Sequence, residues 1–182
     1  MQRSQFIKST VLGLGAFSTV FIENAKNLYA RGHKLLYKMK PKILKNGKGE
    51  KQIVLGDHQT IKLTGEDTSG QFTLIETYND PGLGIPLHVH QNEDEIFHVL
   101  EGELEMQLGD KTVVLKTGDL AFCPRGIPHS WKVVGTIKAK VMLSVFPSGL
   151  ELMFKEIAAL PPGKPNFENL SKLCKKYNIQ FV

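Results

Sequence analysis

The chain has few cysteines and no strong bias of charge. Its 182 residues include only two cysteines, Cys123 and Cys174, and neither belongs to a Cys-x-x-Cys pair. A thiol-based redox centre or a cysteine-bound zinc site is therefore unsupported, while a disulfide between the two stays open until their geometry is known. The net charge is a modest +5, and the lysines are scattered through loops instead of clustering beside aromatic residues. We therefore expect no nucleic-acid partner.

The sequence also lacks an apolar run of transmembrane length. Residues 11–22, VLGLGAFSTVFI, would cover about 18 Å as a helix, against roughly 30 Å of hydrocarbon in a bilayer. The run follows a basic start, MQRSQFIKST, and precedes a polar stretch that ends in Ala30. This order is typical of an export signal, so we expect residues 1–30 to be a signal peptide or N-terminal anchor of a periplasmic or secreted protein. The alternative, an amphipathic or buried N-terminal helix, predicts a cytoplasmic protein.

Short β-like runs dominate the chain from about residue 51, after an extension or linker over 31–50. Glycine, proline, asparagine and aspartate separate nearly all of these runs, and no helical pattern is interleaved. The runs are residues 52–55, 60–63, 72–78, 87–90, 95–100, 104–108, 112–116, 120–123, 130–134 and 138–146. Many short strands at regular spacing predict an all-β sandwich or barrel over residues 51–148.

Helical periodicity appears only near the C-terminus. Residues 149–160 repeat apolar side chains at the i, i+3, i+4 and i+7 positions of an amphipathic helix, and Pro161-Pro162-Gly163 ends it. Asn166 can cap a second helix. We predict that residues 149–182 form a C-terminal helical segment that covers the outside or an edge of the β-structure.

Two histidines flank a single valine at the end of one predicted strand. Side chains of a strand alternate between its faces, so His88 and His90 share one face and lie about 7 Å apart. That spacing lets two imidazoles reach one metal ion. Glu95 begins the next predicted strand, on a face that it shares with Phe97 and Val99, and is the favoured acidic ligand.

Three nearby polar residues are poorer ligand candidates. Glu93 and Asp94 fall in the corner between the strands, where we expect solvated side chains that can be changed without loss of metal. His98 alternates onto the face opposite Glu95 and is interpreted as structural.

A later histidine, His129, follows the rigid Pro124-Arg125-Gly126 turn, which can aim its side chain at little entropic cost.

The two histidine segments together resemble the cupin family. The family patterns G-x5-H-x-H-x4-E-x6-G and G-x5-P-x-G-x2-H-x3-N are matched at nine positions. These are Gly82, His88, His90, Glu95, Gly102, Gly118, Pro124, Gly126 and His129. Val133 replaces the final asparagine, a position that holds no metal in the family. The resemblance covers roughly residues 50–148, and one copy of the motif pair implies a single barrel.

The resemblance implies a jelly-roll β-barrel with His88, His90, Glu95 and His129 around one divalent transition metal. Three imidazoles and a carboxylate suit Fe, Mn, Ni or Cu, with one or two positions open to substrate, whereas Zn suits such an open site less well. Cupins are commonly dimers, and unpaired sheet edges favour dimerisation. We therefore expect a homodimer.

A closer resemblance joins P-L-H-V-H-x4-E-x-F-x-V-L-E-G-E with the later C-P-R-G-I-P-H and P-S-G-L-E. This combination is similar to single-domain cupins of the quercetin 2,3-dioxygenase type. It implies oxygenation of an aromatic or enolic small molecule, with Glu95 as both ligand and proton acceptor. Candidate apolar walls are Phe97, Val99, Leu104, Met106, Phe122 and Trp131. A metal-dependent isomerase, decarboxylase or lyase, and a non-catalytic binding cupin, are the alternatives.

Overall fold

The computed structural model describes residues 39–161, 163 and 166–182. The predicted signal segment, residues 1–30, lies outside the described residues, as does the first part of the predicted extension. The strands are β1 Glu50–Val54, β2 Asp57–Leu63, β3 Thr73–Asn79, β4 Gly84–His90, β5 Asp94–Glu101, β6 Glu103–Leu108, β7 Lys111–Lys116, β8 Leu120–Cys123, β9 His129–Val134, β10 Ala139–Phe146 and β11 Ile179–Phe181, and the helices are α1 Leu150–Ala158 and α2 Phe167–Lys176. Each of the ten predicted β-runs corresponds to one of the first ten strands.

The strands form two antiparallel sheets. One has the order β1-β2-β3-β10-β5-β8, and the other has the order β11-β4-β9-β6-β7. No strand of one sheet pairs with a strand of the other within the described residues, so the strands make a two-sheet sandwich of jelly-roll type. The prediction of a closed barrel was therefore wrong in its closure, because the alternation of inward and outward residues is the same for a barrel and a sandwich.

The core lies between the two sheets. In β10 every second residue is buried, from Ala139 and Val141 to Leu143 and Val145. The same period of two runs along β5, where Glu95, Phe97 and Val99 are buried. This alternation turns one apolar face of each strand inward, and it places the buried polar residues of the strands inside as well.

The two helices close one side of the sandwich. Helix α1 contacts β1 and helix α2 contacts β11, which are edge strands of different sheets, and the helices contact each other. The Asn166 side chain accepts a hydrogen bond from the Asn169 amide at 3.1 Å, as predicted for the cap of the second helix. Strand β11 was not predicted, since its residues fell in the segment expected to be helical. Neither described helix is long and apolar enough to cross a bilayer.

A buried acid fastens the start of α1 to the rest of the fold. Glu151 accepts hydrogen bonds at 2.8 Å from the backbone amides of Gly65 and Gly149. It also accepts one from the Thr73 hydroxyl. Burial acts to raise the pKa of Glu151, but these donors outweigh it and lower that pKa. The carboxylate therefore stabilises the junction between the helix and the β-structure.

The two cysteines do not pair. Cys123 and Cys174 are both buried free thiols. Burial, together with the nearby Glu95 carboxylate, raises the pKa of Cys123 to about 12. Both side chains are therefore part of the core in their protonated form.

Candidate metal centre

The fold brings all four predicted metal ligands together. His88 and His90 lie at the end of β4, Glu95 near the start of β5, and His129 at the start of β9. One ligand atom from each residue lies within 4.8 Å of those of the other three, and all four residues are buried. Three strands from two sheets thus deliver one compact group of nitrogen and oxygen donors.

Strand pairing and the rigid turn explain this convergence. His88 and His129 face each other directly across the β4–β9 pair. The turn before His129 docks on β4, because the Gly126 amide donates a 2.8 Å hydrogen bond to the His90 carbonyl oxygen. Gly126 has a φ of 78°, a left-handed conformation that favours glycine. The Pro-x-Gly turn therefore fixes the position of the fourth ligand relative to the first two.

The outer nitrogen of each imidazole faces a protein acceptor. His88 Nδ1 lies 2.8 Å from the Pro86 carbonyl oxygen, and His129 Nδ1 lies 3.3 Å from that of Ile127. Each can donate its Nδ1 proton there, which leaves the Nε2 lone pair of the ring for an ion. Such outer partners are typical of histidine ligands in metal sites.

The outer nitrogen of His90 faces Glu93, an acid that was predicted to be solvated. Its Nδ1 lies 3.3 Å from a carboxylate oxygen of Glu93, which is 8% exposed. The expectation of a solvated Glu93 was wrong, because the corner turns this side chain inward beneath the ring. Asp94 instead points outward and makes a two-point ion pair with Arg125, with N–O distances of 2.7 and 3.0 Å.

Glu95 lies among the inner nitrogens. One of its carboxylate oxygens is 2.8 Å from His129 Nε2 and 3.7 Å from His90 Nε2. No backbone amide hydrogen-bonds this carboxylate in the part of the chain that the structure describes. An acid 3% exposed that relies on imidazoles alone is the arrangement expected where a cation is to bind.

The charge states of the cluster suit a cation. Burial acts to raise the pKa of Glu95, but the charge of His90 and a hydrogen bond from His129 lower it to about 2. Burial, assisted by His129, lowers the pKa of His88 to about 4. Burial also acts to lower the pKa of His90, but Glu95 and Glu93 outweigh it and raise that pKa. The ionised carboxylate and the neutral His88 imidazole are already in the forms that bind metal.

This donor set fits a divalent first-row metal. Three imidazole nitrogens and one carboxylate oxygen suit iron, manganese, nickel or copper, and zinc also accepts nitrogen and carboxylate ligands. A carboxylate together with three neutral rings leaves a divalent ion with a net positive charge and open positions for an anionic ligand. The cluster is thus a candidate metal centre whose ligands are His88, His90, Glu95 and His129.

A cavity of about 80 Å³ borders the cluster. Its polar lining includes His88, His90 and Glu95, and most of the remaining lining is apolar. Of the expected apolar walls, Phe97, Leu104 and Trp131 line it. The residues Val99 and Met106 are buried core residues.

One residue that was predicted to line the cavity faces away from it, and one residue that lines it was not predicted. Phe122 is 52% exposed and lies on the outer face of β8, so it cannot contact a molecule in the cavity. Phe181 of the unpredicted strand β11 lines the cavity instead, with its ring centroid 6.3 Å from that of His88. His98 is confirmed on the outer side of β5, where it alternates with the buried Phe97 and Val99.

Known proteins share this arrangement of sequence and fold. The family profile described as "Cupin domain" matches residues 76–146, which include all four candidate ligands. Quercetin 2,3-dioxygenase from Bacillus subtilis (strain 168) is 33% identical over 101 residues, which make up 56% of this chain and 30% of that protein. An oxalate-binding protein from Thermotoga maritima is 30% identical over 92 residues, 50% of this chain and 72% of the relative. The chain belongs to the cupin superfamily.

Solved structures agree with the fold of this cupin. The structure of KdgF from Halomonas sp. aligns with a TM-score of 0.56 at 19% identity and covers 62% of this chain and 99% of that one. At that identity the likeness concerns the fold alone. The matched region spans less than a third of the quercetin dioxygenase, so membership of the superfamily does not by itself assign that enzyme's activity to this cupin.

Proposed function

We propose that this cupin is a mononuclear metal-dependent dioxygenase that acts on an aromatic or enolic small molecule. The observation that carries the proposal is the convergence of three imidazoles and one carboxylate at a mainly apolar cavity. A divalent ion bound there would supply Lewis-acid stabilisation of a deprotonated substrate oxygen and a redox-active centre for dioxygen. The apolar walls suit a flat or slender substrate.

Different residues would bind the metal, accept a proton and exclude water. His88, His90 and His129 would hold the ion through Nε2, while Glu95 would offer one carboxylate oxygen as a ligand. A carboxylate oxygen of Glu95 can also accept the proton of a substrate hydroxyl, because this acid stays ionised in the buried site. Phe97 and Trp131 border the same cavity and would exclude water from the substrate.

The proposal extends the similarity to the quercetin dioxygenase, and the similarity to the oxalate-binding protein supports an alternative. In the alternative, the same metal centre retains a small ligand and no reaction follows. Both functions require the four-residue cluster. They differ in whether a bound enolic molecule is oxidised.

Oxygen uptake tests the proposal directly. The protein is loaded in turn with Fe²⁺, Mn²⁺, Ni²⁺, Cu²⁺ and Zn²⁺ and offered catechol and 3-hydroxyflavone. Uptake with at least one redox-active metal is expected, and the Glu95→Gln variant should lose it. His98→Ala is the matched control, since His98 lies on the same strand but outside, and it should retain uptake.

Two outcomes would count against the dioxygenase. The absence of uptake with every loaded metal would contradict the proposal. Ligand-induced thermal stabilisation without uptake would instead support the binding function.

Export through residues 1–30 and homodimer formation also remain predictions, to be measured by signal-peptide cleavage and by solution molar mass.

A further inference from the structure

A second polar group lines the cavity well away from the candidate metal ligands. Apart from His88, His90 and Glu95, polar lining side chains include Asp57 of β2 and Thr77 and Asn79 of β3. Asp57, Thr77 and Asn79 are buried, at 5%, 6% and 1% exposure. Burying such groups beside an otherwise apolar cavity is costly unless they have partners.

Strand register gives the separation of the two polar ends. Along β10, Val145 pairs with Glu95 and Val141 pairs with Thr77, so the two levels are four residues apart. At about 3.3 Å per residue this corresponds to about 13 Å along the strands. The lining of the cavity includes residues at both levels. Phe97 and Leu143 form part of its wall between the ends.

Asp57 and Asn79 have hydrogen-bond partners within the protein, whereas Thr77 has none among the described residues. Asp57 accepts hydrogen bonds from Gln59 Nε2 at 2.7 Å and from Asn79 Nδ2 at 2.6 Å. The Asn79 side-chain oxygen in turn accepts from the His58 amide at 2.8 Å. These bonds hold the Asp57 carboxylate in place, yet its two oxygens can accept further donors.

The Thr77 hydroxyl has no such partner. It makes no hydrogen bond to any residue that the structure describes, and since no fully buried side-chain oxygen among those residues lacks a partner, the Thr77 oxygen is accessible, as expected of a group that lines the cavity. Its neighbour across the β2–β3 pair is Gln59, the residue that also supports Asp57. Asp57 lies two residues along β2 from the residue that pairs with Thr77, and both residues line the cavity.

We propose that Thr77 and Asp57 bind a hydroxyl group at the far end of an elongated substrate whose other end lies at the metal centre. The ligand hydroxyl donates to the Asp57 carboxylate and accepts from the Thr77 hydroxyl. The substrate class is a slender molecule with a metal-binding enolic or phenolic head, an apolar middle and a hydroxyl tail. This inference rests on the proposed function, because the metal-bound head is what places the tail.

Three catechol probes of similar length test the tail site. They are 4-(5-hydroxypentyl)catechol, 4-pentylcatechol and 5-(3,4-dihydroxyphenyl)pentanoic acid, which end in a hydroxyl, a methyl and a carboxylate. Binding to the metal-loaded protein is measured by calorimetry and by the fluorescence of Trp131, the single tryptophan of the chain, which lines the cavity. These readouts do not depend on turnover.

The wild-type protein should bind the hydroxyl probe at least about 3- to 10-fold more tightly than the methyl probe, since that is the usual effect of one hydrogen bond and the hydroxyl tail gains two. The carboxylate probe should bind most weakly, because its charge would be buried in a mainly apolar cavity. Thr77→Val should remove most of the preference for the hydroxyl, while Thr77→Ser should restore it. Thr112→Val, at an exposed threonine of β7, should change nothing.

The outcomes separate the tail site from the dioxygenase. Equal binding of the hydroxyl and methyl probes, an unchanged preference in Thr77→Val, or no binding of any probe would overturn the tail site. Oxygen uptake with 4-pentylcatechol alongside equal probe binding would keep the dioxygenase and reject the tail site. A hydroxyl preference that Thr77→Val abolishes, in a protein that consumes no oxygen, would keep the tail site and reject the dioxygenase.

Discussion

Two buried carboxylates, Glu95 in β5 and Glu151 in the first turn of α1, lie in regions with different roles. They are 3% and 4% exposed, and both have pKa values below the ordinary range. Glu151 accepts from two backbone amides and a threonine hydroxyl, whereas the close partners of Glu95 are imidazoles. A backbone amide N–H has no free lone pair for a metal ion. An imidazole nitrogen that has lost its proton has one and can bind the ion. The two carboxylates are alike in burial and charge. The residues that contact them distinguish the candidate metal site at Glu95 from the structural junction at Glu151.

Removal of a histidine beside Glu95 should abolish metal binding. His88→Ala and His129→Ala should each remove the metal, because either change deletes a nitrogen donor and leaves the others poorly arranged around the ion. Metal content of the purified variants, measured by elemental analysis, checks this. His98→Ala should keep full occupancy. Full occupancy in both of the first two variants would refute the ligand assignment.

Exchanging the two carboxylates for amides tests the comparison itself. Glu95→Gln should lose metal, since a neutral amide replaces the anionic ligand. Glu151→Gln should keep metal but lose about 1.5–3 kcal/mol of unfolding free energy, the usual worth of hydrogen bonds to a charged group. Metal content and urea unfolding of both variants provide the measurements. A folded Glu151→Gln protein without metal would show that the two regions are not independent.

The adjacent acids Glu93 and Asp94 should differ in their effect on metal binding. Glu93→Gln should weaken metal affinity about 10- to 100-fold, as expected when the partner of a histidine ligand is altered. Asp94→Asn should leave affinity unchanged, because Asp94 pairs with Arg125 at the surface. Competition with a chelator gives both affinities. Equal affinities in the two variants would mean that the contact between Glu93 and His90 does not support the metal.

The sequence was sufficient for the parts of the site that lie within regular strands. A period of two fixes the face of each residue, so His88, His90 and His98 were assigned to the correct sides. Glu93 was misplaced because the corner was assumed to be solvated, whereas the period of two of β5 extends back from Glu95 to Glu93 and buries both. The contact that turns Glu93 inward is made with His90, and only the folded corner reveals it.

Other errors arose where the pattern carries little information. Strand β8 reads Leu-Ala-Phe-Cys, apolar on both faces, so alternation could not show that Phe122 points outward. Its register against β5, which pairs Cys123 with Glu95, decides the matter. Strand β11 has only three residues after a helix, and it forms by pairing with β4, about ninety residues earlier in the chain. Such long-range pairing leaves no local signal.

The stability that Glu151 contributes should depend modestly on pH. The folded state lowers the pKa of Glu151 below its usual value of 4.5, so it favours the ionised form. The stabilisation is therefore complete above that value and declines as the pH falls through it toward the folded-state pKa. A glutamine does not titrate, so the difference in unfolding free energy between wild type and Glu151→Gln should be larger at pH 7 than at pH 4.

Comparing proteins at each pH isolates this effect, because the titration of the histidine cluster is common to both and cancels in the difference. Glu168→Gln is the control, since Glu168 lies exposed on α2 and, among the described residues, pairs with Lys172. Its difference from wild type should stay near zero at both pH values. A Glu151→Gln difference that is the same at pH 7 and pH 4 would mean that the shape of the side chain, and not its charge, holds the helix to the sheets.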